Sequence, residues 1–296
     1  MERICVDRSE AIGIVGAGRV AQALGRLLVE GGQSVVAIAG RDPERTARAA
    51  RFLEGHARPT AIQELHAVAS HVLIAVSDAA IEPVATILAQ SGFRRGVALH
   101  TCGAKGPEAL KVLARQGVSC GALHPMQSFA TAEHGVASLA GSIVAVDGDP
   151  QALRWASSIV SLLSGRSIRI RPEHRAMYHA AAVMASNYVT ALIYAAVELL
   201  QAAGVERSTG LSSLAPIVRA SAENSFTLGP VNALTGPIER ADSHTVAAHI
   251  KGLEHSARSV RDLYCAGGSV VVQMATQRGL TQAKAAELQE MLRLPQ

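Results

Sequence analysis

A chain of 296 residues, 49% of them apolar, is long enough for two domains with their own cores. Its net charge of +4 and isoelectric point near 9.1 come from scattered side chains, only four of the 28 basic ones being lysine (Lys105, Lys111, Lys251, Lys284), and the lack of any basic run excludes a nucleic-acid partner. Cys5, Cys102, Cys120 and Cys265 lie far apart with no C-x-x-C pair, which excludes a disulfide framework and a structural zinc site and points to reduced thiols in the cytoplasm.

The first ten residues lack the apolar core of a signal peptide and lead directly into an apolar strand from Ile12 to Val15. Gly16-Ala17-Gly18 follows, and then Val20, Ala23, Leu24, Leu27 and Leu28 recur at the spacing of one helical face until Gly31-Gly32. This strand, glycine turn and helix form a phosphate cradle of the G-x-G-x-x-A type. Gly16 permits the tight turn, Gly18 lets the backbone approach a pyrophosphate, Ala21 takes the close-packing position, and Arg19 and Val20 open the helix on which the anion would sit. The next strand, from Ser34, ends in Ala39-Gly40-Arg41, where an acid would select NAD and an arginine accepts a 2′-phosphate. Arg41, with Arg45 as a second contact, predicts NADP. Asp42, followed by Pro43, reads as a helix N-cap.

Further strands are expected at 72–76, 97–100, 118–122, 143–146 and 167–170, separated by helical patterns, with Asp149-Pro150 as another helix start and Gly55, Gly117 and Gly165 as stops. The alternation predicts an α/β fold with a Rossmann-like doubly wound, mostly parallel sheet over residues 1–172. Ligands of such sheets lie beyond the carboxyl ends of the strands, which makes Val76, Ser77, Thr101 and Cys102 candidates to line the nicotinamide ribose. The alternative for Ser77-Asp78 is a helix cap. No base is placed beside Cys102, so packing or cofactor contact suits it better than nucleophilic attack. His124 and Gln127, at the end of a further strand, either face a substrate or bond local backbone.

From Arg171 onward the β signal fades, and an all-helical C-terminal domain is expected over 173–296. Ala176 to Ala203 is apolar for longer than a membrane span needs, but it carries His179, Ser186, Asn187, Thr190 and Glu198, so it reads as a buried central helix and not a membrane segment. At 100° per residue, Tyr178, His179, Ser186 and Asn187 include three groups that one face could present: His179, Ser186 and Asn187. Histidine can donate a proton to a carbonyl or imine as hydride arrives; the alternative is a satisfied core His and Asn joining two helices. In Thr235-Gly236-Pro237-Ile238-Glu239-Arg240-Ala241-Asp242, Arg240 either clamps a substrate carboxylate or pairs with Asp242. His244, His249 and His255 do not share a helical face, so no metal site is expected.

In this order, G-A-G-R-V-A, A-V-S-D, H-T-C-G, L-H-P-M-Q-S-F, Y-H-A-A-A-V-M-A-S-N and T-G-P-I-E-R-A-D resemble a bacterial family of NADP oxidoreductases that pairs a Rossmann-like domain with a helical C-terminal domain of unassigned function. The likeness extends more distantly to pyrroline-5-carboxylate reductase, ketopantoate reductase and the deazaflavin-dependent NADP reductases. It implies a nicotinamide at an interdomain cleft and a homodimer built through the helical domain. Two positions depart from the pattern: Val183 stands where the 6-phosphogluconate and ketopantoate relatives carry a lysine four residues before the asparagine, and Ala241 replaces the glycine of R-G-D. The expected function is NADP-dependent reduction of a small carbonyl or imine acid, with His179 and Asn187 acting on the substrate. A non-catalytic NADP sensor and a deazaflavin:NADP hydride exchanger are the alternatives.

Overall fold

The computed structural model describes residues 10–293; Cys5 lies outside them. Contacts divide the chain into two compact units, 1–183 and 184–296.

In the first unit, eight strands form one sheet: β1 (Ile12–Val15), β2 (Val35–Ala39), β3 (Arg58–Thr60), β4 (His71–Ile74), β5 (Val97–His100), β6 (Ser119–Pro125), β7 (Ile143–Gly148) and β8 (Arg166–Ile168). Their order is β3-β2-β1-β4-β5-β6-β7-β8. All neighbours are parallel except β6 and β7, as the doubly wound, mostly parallel expectation required. The strand order reverses between β1 and β4, which opens a crevice at their carboxyl ends. Ile14, Leu24, Ile38 and Leu73 belong to the core on one face of the sheet, and Val15, Ile74, Ile81 and Leu88 to that on the other. Burial on both faces is why these strands are continuous apolar runs. The proline-marked helix starts are capped as read: Asp42 accepts from the Arg45 amide at 3.0 Å, and Asp149 from those of Gln151 and Ala152 at 3.1 Å.

The boundary falls beyond the expected residue 172. The helix Arg175–Val183 groups with the sheet because the buried Arg175 pairs with Asp147 of β7 and donates to the Lys105 carbonyl at 3.3 Å.

The second unit contains the helices Val189–Ala202, Arg207–Leu228, Ser243–Gly252, Arg258–Gln277 and Gln282–Met291. Val246, Cys265, Val272 and Leu288 form its main core. The expectation of a buried central helix fails. The apolar segment 172–202 is long enough to cross a membrane, yet only 11% of its most apolar stretch is buried. Within the second unit, Ala195 and Val197 are the buried residues of Val189–Ala202, while Leu192 and Tyr194 are more than half exposed. The neighbouring helix Arg207–Leu228 cannot cover a surface that is apolar nearly all round.

Candidate functional site

Gly16 has φ +125°, and a Cβ there would lie 2.1 Å from the Ala75 carbonyl oxygen, so only glycine passes between β1 and the end of β4. At Gly18 the reverse holds: a Cβ would meet no atom within 4 Å. Gly18 is therefore not packed against protein; it leaves its backbone open at the start of the Arg19–Glu30 helix, whose first amides and dipole suit an anion. The cavity in front has a volume of about 720 Å³, within the usual range for small-molecule and cofactor sites.

Eight of the residues singled out for a cofactor meet on its wall: Gly16, Gly18, Arg19, Val20, Arg41, Val76, Ser77 and Thr101. They come from the carboxyl ends of β1, β2, β4 and β5, where the sheet topology puts its crevice. Arg19 reaches across to the Phe129 carbonyl at 3.0 Å. Arg41 and Arg45 are exposed on the wall and, among the described residues, take part in no ion pair. Asp42 lies between them, but its carboxylate is engaged in the helix cap. Ser77 makes no capping hydrogen bond. A wall of glycine backbone at one helix start and two unpaired guanidiniums at the end of β2 fits a dinucleotide that carries an extra phosphate.

Cys102 is not on that wall. It is buried, its amide donates to His100 Nδ1 at 3.2 Å, and burial, with Asp78 beside it, pushes its thiol up, so it is a poor nucleophile.

A second polar group of side chains lies against Gly103, two residues after Thr101. β5 stops at His100, paired with Ala122, while β6 continues to Pro125 because antiparallel β7 supports it. His124 is thus part of the strand and not of the loop after it. Its ring lies over Gly103, where a Cβ would come within 2.8 Å of Cε1 and Nε2. His124 Nδ1 is 2.9 Å from the Tyr178 hydroxyl, and the His179 ring stands edge-on at 6.0 Å between centroids. Burial, with His179 adding to it, lowers the His124 pKa to about 4, and burial raises that of Tyr178 to about 12, so both are neutral near pH 7. His100 has no free nitrogen: Nε2 donates to the Gly106 carbonyl at 2.9 Å and Nδ1 accepts from Cys102.

Gln127 is not brought into this group. Its amide nitrogen donates to the Ser138 carbonyl and its oxygen accepts from the Ser128 amide, so it ties its own loop together. Asn187 belongs to the second unit, exposed on a π-helical turn, Met184–Tyr188, and accepts from the Ser186 hydroxyl at 2.9 Å. The uniform 100° step on which the expected common face of His179, Ser186 and Asn187 is counted is not that of the π turn. Arg240 is exposed in the second unit and does not pair with Asp242, whose carboxylate caps Ser243–Gly252 through the Thr245 amide and hydroxyl. Among the described residues no group of three or more His, Cys, Asp or Glu could hold a metal. Tyr178 was visible in the sequence only as one polar residue among several; its partner 54 positions away was not.

The Rossmann-like domain model matches residues 5–125, and a domain of unknown function, DUF2520, matches residues 142–270. The chain thus joins a Rossmann-like domain to a DUF2520 domain, as its motifs implied. No curated protein matches it. Among solved structures, a Bacteroides fragilis protein provisionally named an NADP oxidoreductase is 21% identical, with TM-score 0.75 over 91% of this chain and 99% of that one. An Aspergillus terreus reductive aminase in complex with NADPH and ethyl-5-oxohexanoate is 14% identical, with TM-score 0.58 over 96% and 92%. A Plasmodium falciparum pyrroline carboxylate reductase with NADP bound is 12% identical, with TM-score 0.57 over 97% and 99%.

Proposed function

We propose that this chain is an NADP(H)-dependent oxidoreductase that reduces a small carbonyl or imine acid. The observation that carries the reading is the cavity itself: Gly18 opens its backbone into one part of it while Arg41 and Arg45 stand unpaired on its wall. The Arg19–Glu30 helix start would hold the pyrophosphate, the two arginines the 2′-phosphate, and Val76, Ser77 and Thr101 the nicotinamide ribose. NADPH bound there supplies a hydride. The chain's own residues position the substrate and furnish a proton, and the neutral His124 and Tyr178, with His179 against the His124 ring, are the groups suited to that work. The likeness to a reductive aminase with NADPH and a pyrroline carboxylate reductase with NADP supports the same class.

Two further elements belong to the proposal. The exposed apolar surface of the second unit favours a homodimer through its helices. Free, buried Cys102, Cys120 and Cys265 favour a reducing cytoplasmic setting. Titration with NADPH and NADH, followed by NADPH oxidation against 2-oxo acids and cyclic imines, tests the function. Tight NADPH binding with turnover supports it; binding without turnover on any of them favours a sensor, and no binding removes the reading.

A further inference from the structure

Resting on that proposed function, we infer that the Tyr178 hydroxyl is the group that hydrogen-bonds the substrate's carbonyl oxygen or imine nitrogen and protonates it, with His124 as its positioning and proton-resupplying partner.

The pair is built into the fold from three sides. β7 prolongs β6 so that His124 stands beyond the end of β5, and Gly103 leaves room for its ring. Arg175, bound to Asp147 and to the Lys105 carbonyl, fixes the first turn of the helix that carries Tyr178. Gly106 is held close to that guanidinium, since a Cβ there would come within 3.0 Å of it. Preorganisation of this kind is what a reaction site needs and a merely filled core does not.

Of the polar groups here, the phenol has the chemistry required. Both His100 nitrogens are occupied. His179 meets His124 ring to ring, without a hydrogen bond between them among the described contacts. Tyr178 is only partly buried and keeps its proton at neutral pH, so it donates without placing a charge beside the substrate. As the C=O or C=N carbon takes the hydride of the reduced nicotinamide, the π pair moves to oxygen or nitrogen and forms a bond to the Tyr178 proton. The Tyr178 oxygen regains a proton from His124 Nδ1, and His124 takes one at Nε2 from water. The sum is one hydride and one proton added to the substrate; His124 is left as its Nε2–H tautomer and returns to Nδ1–H by proton exchange with water before the next turnover.

The test uses the full chain with NADP⁺ and with NADPH, and 2-pyrrolidinone as an unreactive carbonyl probe. The probe should shift the ¹³Cζ signal of Tyr178 and bind about tenfold more weakly to Tyr178→Phe. His124 Nδ1 should lose its hydrogen-bonded ¹⁵N shift in that variant, while affinity for NADPH stays within about twofold, as no nucleotide contact is removed. With whichever 2-oxo acid or cyclic imine the wild type reduces, kcat should fall about 10²-fold or more in Tyr178→Phe, and His124→Asn should retain more activity than His124→Ala. A probe that leaves the Tyr178 signal unmoved, or a Tyr178→Phe variant that turns over at the wild-type rate, overturns the assignment while leaving NADP(H) binding intact. Failure of the wild type to bind NADPH instead overturns the cofactor reading beneath it.

Discussion

The α-carbon of Gly16 is packed so closely against the Ala75 carbonyl oxygen that a Cβ would come within 2.1 Å of it, whereas two residues on, Gly18 would meet nothing. One motif therefore contains a glycine required by the fold and one whose backbone is left open in front of the cavity. Gly16→Ala, combining this overlap with a backbone at φ +125°, should cost about 3 kcal/mol or more and show as a large loss of melting temperature. Gly18→Ala should melt as the wild type does but bind NADPH about tenfold or more weakly, because the methyl takes the space of the pyrophosphate. Equal loss of stability in both variants would count against an open turn at Gly18.

Ala241 is in the left-handed region at φ +56°. The strain of an L-residue there, about 1–2 kcal/mol, exceeds the extra freedom that glycine has in the unfolded chain, about 0.4–1 kcal/mol. Ala241→Gly should accordingly raise stability by about 0.5–1 kcal/mol in urea unfolding. A decrease would show that the turn gains more from its methyl group than the backbone loses.

Phe226 is 87% exposed, Ile217 62% and Leu192 51%, a large apolar surface for two paired helices of a water-facing unit. Sedimentation at micromolar concentration should find a dimer, and Leu192→Glu with Phe226→Glu should dissociate it. A wild-type monomer would refute the assembly.

How much of this was legible in the sequence depended on whether the signal was local. The glycine turn, the Asp42 and Asp149 caps and the apolar strands are short-range patterns, and they fold as read. β3 gives no sequence signal because Arg58-Pro59-Thr60 is a short, largely exposed edge strand without apolar alternation. The extent of β6 depends on antiparallel β7, and the His124–Tyr178 pair joins positions far apart in the chain, so neither is written in any window of residues. The exposure of 176–203 is hidden from the sequence for a different reason. Apolar composition states that a surface avoids water, but not that the same chain covers it.

Acid should weaken the fold in a way that His124 accounts for in part. Its folded pKa of about 4 lies below the 6.5 of a free imidazole, so the unfolded chain binds the proton first. The stability this ring contributes is complete above about pH 6.5 and is lost as pH falls toward 4, an effect on the order of 2 kcal/mol once partial exposure is allowed for. His71 and His100, also lowered by burial, act in the same direction. Melting temperatures should therefore fall over this range, with a shallower slope in His124→Asn. An equal slope in both proteins would place the titration elsewhere.

The central claim is that Arg41 at the end of β2 reads a 2′-phosphate, and calorimetry of wild type and Arg41→Ala with NADPH and NADH tests it most directly. A charge-assisted arginine–phosphate contact is worth about 1.5–3 kcal/mol, so the wild type should prefer NADPH by about tenfold or more. Arg41→Ala should lose that preference and leave NADH affinity nearly unchanged, with Arg45 supplying any remainder. Equal binding of the two nucleotides by the wild type, or an Arg41→Ala variant that keeps the full preference, would contradict the account.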